Sequence, residues 1–196
     1  LSYAKICSLT KNYNHEKHVL FSIAGGLVLF IWSFVSWAGA NLHGDQKTHT
    51  PLQYEVLQAI EATGLEPGMY ALGTPDPNTD MDAINIEFND KILGKPWGVL
   101  NYQEKMEKSM GMNMLRGLTS SIIVALFLSI ILGNLVTPTM KTAVLVSLGI
   151  GLMAFFVEPY SYHIWFKTPG TFAHLADAIV PWVLMGGVWS LINKPA

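Results

Sequence analysis

The chain has 196 residues, of which 51% are hydrophobic and only 13% charged, where an ordinary soluble domain carries about 25% charge. Mean hydropathy is +0.33, and the apolar residues fall in long runs, which excludes disorder and argues against a water-soluble globule. The net charge of -2 offers no basic footprint for nucleic acid, and the single cysteine, Cys7, excludes an intrachain disulfide and a cysteine-rich metal centre.

A helix needs roughly 20 mainly apolar residues to cross a bilayer. Residues 1–18 form a basic head, with Lys5, Lys11 and Lys17 against Glu16. The first span is 19–40, VLFSIAGGLVLFIWSFVSWAGA, which has no charge. It reads as an uncleaved anchor. Its apolar run exceeds the roughly 7–15 residues of a signal peptide, and Trp32, Phe34 and Trp37 fill its second half.

Residues 41–116 form a long polar segment that reads as a small α+β domain. Thr50-Pro51 can start a helix whose apolar face is Leu52, Val56, Ala59 and Ile60, with Gly64 ending it. A short strand is expected at Met69–Leu72, followed by the turn-rich GTPDPNTD. AINIEF, Ala83–Phe88, alternates as a strand does, and Gly98–Gln103 reads as a third strand. Glu104–Leu115 is expected to lead into the next span as helix. The later spans are 117–136, 139–160 and 171–192, with an outer turn at 161–170 and a tail at 193–196. The expected fold class is therefore an all-α membrane bundle of four transmembrane helices, with the α+β domain placed outside the cytoplasm between the first two.

Orientation follows basic charge close to the membrane. The head, the 137–141 turn with Lys141, and the tail with Lys194 share one side of a four-span chain. The 41–116 segment holds six basic and eleven acidic residues. Both termini are therefore expected in the cytoplasm. Ser22 and Gly26, Ser129 and Gly133, and Ser147 and Gly151 are small pairs one helical turn apart, and Gly186-Gly187 adds a fourth point of close approach. Trp32, Trp37, Trp165, Trp182 and Trp189 read mostly as anchors at helix ends.

The polar groups collect at the outer end. His43 follows the first span, Glu158 ends the third, His163 lies in the outer turn, and His174 and Asp177 share a face of the fourth. A carboxylate near hydrocarbon faces protein or water. One reading is a hydrogen-bonded cluster that ties the helices to the outer domain. The alternative is a pocket in which His43, Glu158, His163, His174 and Asp177 hold a transition metal or zinc. His43, Asp45 and His49 form a second, weaker candidate. His18 and His174 fall at opposite faces and cannot clamp one haem. No covalent-haem motif, phosphate-binding loop or serine-nucleophile motif is present. Transport by Glu158 and Asp177 fits poorly, because the charges cluster at one face.

Three stretches resemble a poorly characterised family of small bacterial four-span inner-membrane proteins. They are GGLVLFIWSFVSWAGANLH at Gly25–His43, LEPGMYAL at Leu65–Leu72, and the last segment with Trp165-Phe166, Leu175-Ala176-Asp177 and Gly186-Gly187. The resemblance implies four spans, an outward loop and a bacterial inner membrane. It implies no activity. Ala38-Gly39-Ala40-Asn41 departs from the more apolar, proline-containing stretch expected there. The sequence thus points to a noncatalytic accessory, assembly or stabilising subunit that contacts lipid and other membrane-protein subunits, not nucleic acid. No cofactor is expected in this reading. A ligand-, lipid- or metal-binding membrane protein, possible also as an enzyme, is the competing class.

Overall fold

The structure, a computed structural model, describes residues 3–76, 78–135 and 138–194, with side chains from His15 onward. The side chains of Lys5, Cys7 and Lys11, residue Pro77, the last residue of the 117–136 segment and the end of the tail lie outside the described residues. The fold is mostly helical with one small sheet. In chain order the elements are α1 (Tyr3–Phe34), α2 (Gln53–Glu61), β1 (Gly68–Leu72), α3 (Met81–Glu87), β2 (Gly98–Tyr102), α4 (Met110–Gly133), α5 (Met140–Phe155), α6 (Ser161–Phe166) and α7 (Thr171–Ile192). The chain divides into a helical unit, residues 1–48 and 109–196, and a smaller unit, His49–Lys108.

Among the described residues of the helical unit, four stretches are long and apolar enough to cross a membrane: His15–Gly39, Met110–Gly133, Met140–Phe166 and Thr171–Ile192. Only 22% to 33% of each apolar window is buried inside the protein. Phe127, Met153, Val157 and Phe172 point outward. Apolar surface on that scale requires lipid or another protein around it.

The helices pack in the order α4, α1, α7, α5, and α4 and α5 touch little. Glycine sets the two closest crossings. A Cβ at Gly26 would lie 2.7 Å from the Ile122 Cα, so α1 and α4 meet backbone to backbone. A Cβ at Gly186 would lie 2.6 Å from the Val144 Cα, and one at Gly151 would strike the Ala178 carbonyl and the Trp182 ring. Those two glycines let α5 and α7 close on each other. Phe21, Leu128, Leu132, Ala143, Met185 and Trp189 form the core beside these crossings. Trp182 and Trp189 therefore pack between helices instead of serving as end anchors.

Several boundaries differ from expectation. The third apolar segment does not turn at 161. A π-helical turn, Phe156–Tyr160, carries Pro159 within the helix, and α6 extends it to Phe166. The wider turn accommodates a residue that has no N–H to donate. Only 167–170 remains as the connection, with Lys167 and Gly170 both at positive φ. Residues 104–109 are not helical, and α4 starts at Met110.

In the smaller unit, β1 and β2 pair antiparallel, with Tyr70 opposite Leu100. α2 ends before Gly64, which sits at φ +70°. Ala83–Phe88, expected as a strand, is helical through Glu87 and continues into a π-helical turn at Phe88–Ile92. Asp80 decides this. Its carboxylate accepts from the Asp82 and Ala83 amides at 2.9 and 3.1 Å, which caps a helix start. The sheet therefore has two strands among the described residues, not three. Burial in this unit is slight: among its described residues only Tyr102 is buried.

Candidate functional site

The site begins with the way α1 ends. Beyond Phe34 the helix widens into a π-helical turn, Val35–Gly39, in which the Ala40 amide donates to the Val35 carbonyl. Asn41 then adopts φ +48°, and the Leu42 amide donates back to the Ser36 carbonyl at 2.8 Å. This reversal brings His43 against the helix it has just left. A 3-10 turn, Gly44–Gln46, follows directly. On α7, His174 and Asp177 lie in the first two turns.

These pieces meet around Asp177. Its Oδ1 accepts from the Trp32 indole N–H at 2.8 Å and from the Ser36 hydroxyl at 2.7 Å. Its Oδ2 pairs with His43 Nε2 at 2.9 Å. Three donors satisfy the carboxylate, so its placement on an apolar helix does not leave an unpaired buried charge. With Nε2 donating, His43 Nδ1 is an acceptor. It lies 2.8 Å from Gln46 Nε2, and the same amide nitrogen lies 2.9 Å from His174 Nε2. The two hydrogens of one amide thus serve two imidazole lone pairs, and each group in the chain from Trp32 to His174 has a partner of the right polarity.

The rings are held as firmly as the bonds. His43 is 3% exposed and stacks on Trp37, with centroids 4.0 Å apart and planes 2° from parallel. His174 meets His43 edge-on at 5.0 Å. The Lys47 ammonium lies over Trp37, 5.2 Å from its centroid. Gly170 is needed twice: its φ is +86°, and a Cβ there would collide with the Gln46 side chain.

Of the five residues singled out in the sequence, the structure brings three together. His43, His174 and Asp177 offer ligand atoms within 4.8 Å of one another, and they are the only such metal-competent group among the described residues. Glu158 is exposed and lines a cleft with Gln46 and His174. His163 lies outside the group, and its Nδ1 donates to the Thr168 carbonyl at 2.6 Å. Asp45 and His49 are exposed and lie outside the group. His18 lies fourteen residues before Trp32 on α1, about 21 Å along the helix. It pairs with Ser129 at 2.8 Å, and its ring rests where a Gly133 side chain would be. Ser129 and Gly133 therefore make room for a histidine.

Sequence reasoning missed Trp32, Ser36 and Gln46 as members of the network. Trp32 and Ser36 are four apart on one helix face, a visible signal. Gln46 carries none, because the Asn41 reversal puts it in place. Compared with known proteins, the chain matches no family model, no curated protein and no solved structure. The likeness of its ends to small four-span proteins therefore assigns it to no family.

Proposed function

We propose that this chain is a noncatalytic accessory, assembly or stabilising subunit of a membrane protein complex, and that the unit His49–Lys108 is the part its partner covers. The observation that carries this reading is the poverty of that unit's interior. Among its described residues only Tyr102 is buried, while Met69, Met81, Ile86, Leu93 and Trp97 are each more than half exposed. A two-stranded sheet is marginal by itself, and a domain of this size sits near the lower limit of independent stability. Contact with another surface supplies the missing burial.

Charge favours protein over lipid as that surface. The unit has four basic and ten acidic residues, a net charge of -6. Anionic headgroups would repel it. In this reading the four apolar helices lie in a bacterial inner membrane, with both termini cytoplasmic and His49–Lys108 outside. The lysines at 5, 11, 17, 141 and 194 support that orientation.

The test is isolation of the tagged full chain from its native membranes in mild detergent. A second membrane polypeptide is expected in fixed ratio. Ile86→Asp combined with Trp97→Asp is expected to release it while the melting of the helical unit stays unchanged. A lone single-copy chain, or a partner retained by the double variant, contradicts the proposal.

A further inference from the structure

We propose that His43 and His174 form a binding site for a divalent transition ion of the zinc class, oriented by Asp177 and occupied in competition with the Gln46 amide. Two ring nitrogens, His43 Nδ1 and His174 Nε2, converge on a single atom, Gln46 Nε2, at 2.8 and 2.9 Å. Two imidazole lone pairs aimed at one point suit a cation as well as they suit an N–H donor. Zinc–nitrogen bonds are about 2.0–2.1 Å, so each nitrogen has to approach the common point by about 0.8 Å.

The surroundings of His43 match those of a metal-ligating ring. Its other nitrogen donates to Asp177 Oδ2 at 2.9 Å, and its face is stacked on Trp37. A carboxylate on the far nitrogen fixes the tautomer and raises the basicity of the ligating one. Asp177 is thus a positioning residue here, not a ligand, since Trp32 and Ser36 already hold its other oxygen.

The displaced amide has somewhere to go. Gln46 and His174 open onto a cleft of about 250 Å³, and Glu158 lines it from the third apolar segment. That cleft provides an entry path, and the Glu158 carboxylate on its wall draws a cation toward the two rings. With two protein nitrogens, water fills the remaining positions of a four-coordinate shell. The site stands independently of the partner proposed for His49–Lys108, since none of its residues belongs to that unit.

The test is titration of the purified full chain in lipid nanodiscs with Co²⁺, followed by displacement with Zn²⁺. One equivalent is expected, with the strong visible bands of tetrahedral Co²⁺ on nitrogen ligands. His174→Gln, at a half-buried position, is expected to weaken binding at least 100-fold while the melting curve shows a folded bundle. Asp177→Asn is expected to weaken it about 10- to 100-fold, the usual effect of losing an orienting partner. Gln46→Ala separates a metal site from a purely structural network: removing the competing amide is expected to tighten binding several-fold. Absence of one-equivalent binding to the wild-type chain, binding unchanged in His174→Gln, or a 10-fold loss in Gln46→Ala overturns the proposal.

Discussion

The helical unit and the unit His49–Lys108 solve the problem of holding a chain together in different ways. In the first, contact is concentrated at a few points where no side chain intervenes. Gly26 lies on Ile122, Gly186 on Val144, and Gly151 under Trp182 and the Ala178 carbonyl. A polar network then joins the end of α1 to the start of α7 through Asp177. In the second, a capped helix and a two-stranded sheet form with one buried residue among those described. The contrast teaches that exposed apolar side chains need two explanations in this molecule. Along the helices, lipid is the natural covering. In the smaller unit, where turns and charges alternate with exposed Met69, Ile86 and Trp97, the proposed covering is a partner protein.

The sharpest way to break the contrast is at the glycines. Gly151→Leu or Gly186→Leu is expected to cost about 3 kcal/mol or more, because each new side chain must enter occupied backbone space. Gly149→Ala is the control. A Cβ there meets nothing within 4 Å, and the change is expected to be neutral or stabilising by up to about 1 kcal/mol. Reversible unfolding of the purified chain in mixed micelles reads both.

The polar network comes next in size. Asp177→Ala leaves the Trp32, Ser36 and His43 donors without their acceptor and is expected to cost about 3 kcal/mol. Asp177→Asn is expected to cost distinctly less. Its oxygen still serves Trp32 and Ser36, while its amide forces His43 to the other tautomer and Gln46 to reverse its own amide. Equal losses in the two variants would show that the network is not continuous. Trp32→Phe removes one donor from a carboxylate that keeps two others, and about 1 kcal/mol is expected, measured in the same unfolding assay.

Much of this is legible in the sequence. Four apolar segments announce themselves by length. His174 and Asp177 must share a face because three residues separate them on a helix. The rest depends on local choices that periodicity does not encode. Six residues of AINIEF fit a strand or a helix equally well, and the carboxylate of Asp80 settles the matter from outside the run. Pro159 reads as a helix end, yet a π-helical turn carries it and the helix continues through α6. Gln46 reaches two histidines only because Asn41 takes a left-handed conformation and Gly170 has no side chain. Neither condition leaves a pattern in a single sequence.

The smallest expected effects fall in the smaller unit. Met69→Ser or Ile86→Ser is expected to change the unfolding free energy of the lone chain by no more than about 0.5 kcal/mol, because neither side chain is buried. A loss of 2 kcal/mol would show that the unit has an interior of its own.

Amide hydrogen exchange tests the central claim most directly, measured in nanodiscs on the lone chain and on the complex taken from native membranes. The account predicts slow exchange along residues 19–34, 117–133, 140–155 and 175–192 in both samples. It predicts fast exchange across residues 49–108 in the lone chain and strong protection there in the complex. Exchange across 49–108 that is the same in both samples would contradict it.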